Sequence, residues 1–129
     1  MGYTHYFYQN GITEKDTWIL IISGIQEAYK LLPLEVKADI QDLDINPEEI
    51  YFNGSCETLY IPRVPELELN FCKTNARAYD LFVVCCLVLC WHYAPENFKI
   101  RSDGEIQDFE AGIELASRAI GSNIEFRFS

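Results

Sequence analysis

Phe71-Cys72-Lys73-Thr74-Asn75-Ala76-Arg77-Ala78-Tyr79-Asp80 runs directly into Leu81-Phe82-Val83-Val84-Cys85-Cys86-Leu87-Val88-Leu89-Cys90-Trp91. The first stretch reads as a strand end followed by a polar loop. The second is apolar on nearly every side. A helix without a polar stripe is buried between other elements or crosses a membrane. A span needs about twenty residues, and this run has about eleven, so a central core helix is predicted. Ala94-Pro95 ends it. Just upstream, residues 66–72 alternate Leu67, Leu69 and Phe71 against Glu66, Glu68 and Asn70. Alternation of this kind predicts a half-buried strand with its apolar row turned inward.

Working outward, residues 98–101 read as a short strand and Ser102-Asp103-Gly104 as a turn. Asp103 is placed to cap a helix over about 105–120. There Ile106, Phe109, Ile113, Leu115, Ala116 and Ile120 form one stripe, with Gly121 in the C′ position. Residues 124–128 alternate again and predict a last strand. Toward the N-terminus, residues 3–8 form an aromatic strand with Tyr3, His5 and Phe7 on one face and Thr4, Tyr6 and Tyr8 on the other. After the Asn10-Gly11 turn, Thr13 is the expected N-cap of a helix with apolar residues at Trp18, Ile19, Ile21, Ile22, Ile25, Ala28, Tyr29 and Leu32. Pro33 stops it. Residues 34–45 read as irregular or as a short helix. Residues 49–53 and 57–62 read as a hairpin about Asn53-Gly54-Ser55. The order β-α-β-β-β-α-β-α-β, with a hairpin at its middle, predicts one α+β domain over residues 1–129. Its sheet is antiparallel or mixed, with about three helices, one of them buried and central.

Composition bounds the partners. Of 129 residues, 49% are hydrophobic and 14% aromatic, which excludes a disordered chain. Ten basic residues against twenty acidic ones give a net charge of −10, which argues against duplex nucleic acid and anionic membranes. A small anion remains compatible, because salt screens a distant acidic field beyond about 8–10 Å. The five cysteines are odd in number, and three fall in the apolar helix. They read as small apolar residues in a reducing compartment. With no basic-then-apolar leader over residues 1–10, a cytoplasmic location is expected.

Chemistry concentrates at Lys73-Thr74-Asn75-Ala76-Arg77. Two cations ahead of a helix N-terminus suit a phosphate or carboxylate, although without glycine this is not a P-loop. Asp80, in the first turn, fits the helix dipole or a salt bridge to Arg77 or Arg101. Acid–base chemistry has only His5, His92 and carboxylates to draw on. Cys86, Cys90 and His92 lack zinc-ligand spacing, and Asp42-Leu43-Asp44-Ile45-Asn46 fails as a calcium loop at Pro47 and Asn53. No metal or cofactor is therefore expected. Ser23, Ser55, Ser102 and Ser117 carry no nucleophile motif.

Met1-Gly2-Tyr3-Thr4-His5-Tyr6-Phe7, Phe52-Asn53-Gly54, Glu57-Thr58, Phe71-Cys72-Lys73-Thr74, Tyr79-Asp80 and Ser102-Asp103-Gly104 together resemble a family of small phage, bacterial and fungal proteins. Its members begin MGYTHYW and carry an FCKTxxxPYD segment. The likeness runs over nearly the whole chain. It departs at Phe7, where the family has Trp, and at Ala78, where it has Pro; the second change softens the loop-to-helix junction. The resemblance implies a single compact domain and brings no activity with it. It marks Tyr3, His5, Asn53, Lys73, Thr74, Arg77, Asp80 and Asp103 as candidate site residues.

Cations for phosphate and aromatic faces for a base suit a nucleotide or a related small molecule. The leading expectation is thus a small binding protein for an anionic ligand, in a phage setting one that sequesters a signalling nucleotide. A second is a small hydrolase using His5 with Asp80 or Asp103. A third is an interaction or inhibitor module, homo-oligomeric or bound to a basic partner through the acidic segment 35–49, where six acids meet one lysine.

Overall fold

A computed structural model of the chain describes residues 3–129. Met1 and Gly2, which open the MGYTHYF stretch, lie outside it. The chain runs β1 (Thr4–Gln9), α1 (Lys15–Lys30), α2 (Leu34–Ala38), β2 (Gln41–Ile45), β3 (Glu49–Asn53), β4 (Leu59–Pro62), β5 (Leu69–Lys73), α3 (Asp80–Tyr93), β6 (Phe98–Ser102) and α4 (Ile106–Ile120). This is the expected α+β class, with four helices and two three-stranded antiparallel sheets, β5-β1-β6 and β2-β3-β4.

The apolar run makes α3 the centre of the fold, with every side chain from Phe82 to Cys90 buried. Helix α4 lies close against it because Gly112 has no Cβ; one built there would come 2.4 Å from Val84 Cγ1. Helix α1 packs on both, its Gly24 facing Leu89 and Ile120. The second sheet meets α3 through Phe52 and Phe82, whose ring centres are 4.9 Å apart. Gly54 opens room in the hairpin for the Tyr79 ring. Among the described residues, no helix is long and apolar enough to cross a membrane.

Five local expectations are corrected. First, the apolar row of β5 faces outward: Leu67, Leu69 and Phe71 are 66%, 44% and 60% exposed, while Cys72 and Thr74 are buried. Pairing decides this. His5 lies opposite Cys72, so Cys72 shares the face of His5 and Phe7, which looks into the core. Second, Thr13 is buried rather than a cap; Glu14 is the N-cap residue of α1, with no side-chain bond. Third, α4 starts from a capping box of Glu105 and Asp108, not from Asp103. Fourth, residues 124–128 form no strand; Ile124 and Phe126 are buried, and the residue that follows ties the segment to β6 by Ser129 N–H to the Ile100 carbonyl at 3.0 Å. Fifth, the segment left open at 34–45 forms both α2 and β2. The pairing of β2 with β3 shifts register between Gln41 and Asp44, where Asp42 holds a left-handed φ of 55°.

Candidate functional site

The start of β1, the end of β6 and the first turn of α3 meet at His5. Its Nε2 lies 2.7 Å from Asp80 Oδ1 and its Nδ1 2.8 Å from Ser102 Oγ. A carboxylate only accepts, so Nε2–H donates to Asp80; with the proton there, Nδ1 accepts from the Ser102 hydroxyl. The Thr74 hydroxyl also donates to Asp80 Oδ1, and Ser102 Oγ accepts from Gly104 N–H at 2.9 Å. Tyr3 closes the network edge-on over the imidazole, with ring centres 5.0 Å apart. Burial, followed by the charges of Asp80 and Asp108, pushes its phenol up to about 12.

This constellation brings together Tyr3, His5, Thr74 and Asp80 of the expected residues. It adds Ser102, which the sequence placed in a turn and gave no nucleophile motif. Only a fold that pairs β1 with β6 could have placed Ser102 opposite His5. The order carboxylate–imidazole–hydroxyl is that of an acyl-transfer triad. However, His5 has 0% exposure, so no substrate reaches the ring. Asp80 pairs with His5 and with neither arginine.

The Lys73–Arg77 loop uses its own backbone donors. Thr74 and Asn75 N–H both donate to the Tyr3 carbonyl, Arg77 N–H to the Thr74 carbonyl, and Asp80 N–H to the Arg77 carbonyl. Ala76 N–H reaches Thr74 Oγ1, and Tyr79 N–H the Asp39 carboxylate at 2.9 Å. Asn75 and Ala76 hold left-handed φ of 52° and 55° to make this turn. What the loop retains for an anion is its side-chain cations. Neither Lys73 nor Arg77 pairs with a carboxylate among the described residues. Asn53 stands apart on the second sheet, bonded to Asp42 and Thr58. Asp103 accepts from Thr4 N–H at 3.1 Å.

The other side of the first sheet is built differently. Register places Phe71, Tyr6 and Arg101 in one row and Leu69, Tyr8 and Lys99 in the next. Lys73 lies beyond Phe71 on β5. Two rows thus repeat the order apolar–aromatic–cation on an outward face. Beyond β6 the face runs into a hollow of about 420 Å³ lined by Lys99, Arg101 and Arg127 with Trp91, Phe98 and Phe128, and by no aspartate or glutamate. Among the described residues none of these cations is in an ion pair. Acids bound the face at its ends: Glu57 accepts Lys73 N–H at 2.8 Å, and Asp103 follows β6. Sequence reading had Tyr6 and Tyr8 on the correct face of β1 but gave Lys99 and Arg127 no role and Arg101 only a salt bridge to Asp80. Their signal, exposed cations flanking an aromatic strand, appears only once β6 pairs with β1.

The thiols are free, and only Cys56 is not buried. Burial pushes Cys72 up to about 12 and raises Cys85, Cys86 and Cys90 further. Among the described residues no three His, Cys, Asp or Glu side chains gather to hold a metal.

These features define an α+β domain with a buried polar network on one side of its first sheet and an open aromatic–cationic surface on the other. No protein family, curated protein or solved structure matches the chain.

Proposed function

We propose that this protein binds an anionic, ring-bearing small molecule of nucleotide type, with the anion in the hollow beside β6 and the ring against the neighbouring aromatic residues. What carries the reading is the hollow's charge: three unpaired cations and no acidic side chain, in a chain of net charge −10. Twenty acids are available to neutralise these cations, yet none is placed to do so. Arg101 and Arg127 offer planar donor forks to phosphate oxygens, and Trp91, Tyr6 and Tyr8 offer faces for a base. Lys73 of the expected loop belongs to the same sheet face; Arg77 lies in the loop beyond it.

The hydrolytic reading draws on the 2.7 Å contact of His5 with Asp80 but asks a substrate to reach a ring with no exposed surface, so binding is the better-supported reading. A thermal-shift series with adenosine and guanosine phosphates, pyrophosphate and inorganic phosphate tests it. Ligand at 100 times its dissociation constant adds about 2.7 kcal/mol, a rise of several degrees. The rise is expected with wild type and lost in Arg101→Ala/Arg127→Ala. An equal rise in that double variant, or none with any of these ligands in wild type, would reject the reading.

A further inference from the structure

Resting on that reading, and extending it from a single nucleotide to a polymer, we infer that the outer face of β5-β1-β6 binds single-stranded nucleic acid. The observation is repetition. A mononucleotide needs one cationic spot and one ring. Here Tyr6 and Tyr8 lie two residues apart on β1, each with its own cation on β6, Arg101 and Lys99 respectively. Residues two apart along a strand are about 6.6 Å apart, so the face presents two equivalent stacking-plus-cation units in line. Phe71 widens the ring surface beside Tyr6, with ring centres 6.5 Å apart, and Arg127 continues the cation column into the hollow.

A repeating polyanion whose every unit carries a π-face is the occupant such a surface fits. Single strands bind by stacking bases on aromatic side chains while cations follow the backbone. The surface is otherwise hard to explain in a soluble domain. Leu67, Leu69 and Phe71 are large apolar residues left 66%, 44% and 60% exposed along one edge, contiguous with the rings. Charge complementarity selects the occupant: the cations here are unpaired and the rest of the chain is acidic. A duplex hides its base faces and has nothing to stack on Tyr6 or Tyr8. A second copy packed with β6 over β6 would bring the Lys99–Arg101 column against its own like charge.

The test is fluorescence anisotropy with labelled ten-nucleotide oligo-dT and oligo-U, competed by unlabelled mononucleotides and by a duplex of the same length. Binding of a single strand should be at least ten-fold tighter than of the mononucleotide or the duplex. Its logarithm should fall with log salt at a slope of about −2, for three neutralised phosphates. Tyr6→Ala and Phe71→Ala, at outward positions, should each weaken it roughly ten-fold or more, and Lys99→Glu/Arg101→Glu should abolish it.

Oligo-dT against oligo-U tells DNA from RNA preference, and either preference supports the inference. Mononucleotides binding as tightly as the oligomer would overturn the inference and leave the small-ligand reading standing. If neither oligomer nor mononucleotide binds, both readings fall. Duplex binding equal to single-strand binding, oligomer affinity unchanged in Tyr6→Ala and Phe71→Ala, or sedimentation as a dimer that Phe71→Ala dissociates would each overturn it as well.

Discussion

At the scale of single residues, His5 ties three elements at one point: β1 carries it, β6 supplies Ser102 and α3 supplies Asp80. His5→Ala leaves the half-buried Asp80 carboxylate and the Ser102 hydroxyl each short of one hydrogen bond and opens a cavity in the core, which costs about 2–4 kcal/mol. Urea unfolding of that variant should show a midpoint lowered accordingly, with the m-value unchanged; an unchanged midpoint would mean that the network is incidental. Tyr3 adds a pH signature. Its phenol ionises near 10 in the unfolded chain and near 12 in the folded one. The native state therefore holds the proton longer, so this contribution is complete below pH 10 and is lost as pH rises from 10 toward 12. In Tyr3→Phe the alkaline decline of the unfolding midpoint should be shallower than in wild type. The thiols behave similarly: with Cys72 pushed up to about 12 and three others buried in α3, iodoacetamide at pH 8 should label Cys56 alone until denaturant is added. Labelling of two or more thiols in the native protein would contradict this burial.

At the scale of elements, α3 was the most legible part of the molecule. Its residues are apolar all round, and nothing but a central position satisfies such a helix. Leu87→Asp should leave the protein unfolded, because an unpaired buried charge costs several kcal/mol. Gly112→Ala should cost about 1–3 kcal/mol, since its Cβ would lie 2.4 Å from Val84 Cγ1 in a closely packed helix pair. A Gly112→Ala protein as stable as wild type would mean that the helices can separate at no cost. Strand β5 was the least legible. Alternation fixed its period but not its side, because an apolar row predicts burial only where the sheet has one wet face and no ligand to greet. Cys72, read only as a small apolar thiol, stood outside the alternation, although it is the residue of β5 that points into the core. The caps failed for different reasons, although Thr13 and Asp103 are good cap residues by type: Thr13 is held by its backbone to Arg63 with its buried hydroxyl unpartnered, and the Asp103 carboxylate is taken by Thr4 N–H. As a check on the inverted strand, Phe71→Ser should change stability by no more than about 0.5 kcal/mol.

At the scale of the whole molecule, composition misled by averaging. A net charge of −10 describes a body that would repel nucleic acid, and it conceals one sheet face and hollow where Lys73, Lys99, Arg101 and Arg127 collect. These residues are scattered through the chain and share a surface only because β5, β1 and β6 pair out of sequence order. Tyr3, His5, Thr74 and Asp80 of the expected site, by contrast, came together, since the same pairing aligns the start of β1 with the end of β5, and α3 begins beside them. The first sheet thus has one side closed by a hydrogen-bonded network and another left open. Screening over about 8–10 Å at physiological salt isolates the open side from the acidic remainder, so binding there should weaken steeply as salt is added.

The measurement that tests this division most directly is amide chemical-shift mapping of the labelled protein titrated with a nucleotide and then with a short oligo-dT. Shifts are predicted to concentrate at Tyr6, Tyr8, Leu69, Phe71, Lys99, Arg101 and Arg127. Shifts gathered instead at Thr74–Asp80 and the start of α3, with the outer rows of the sheet unmoved, would contradict the account.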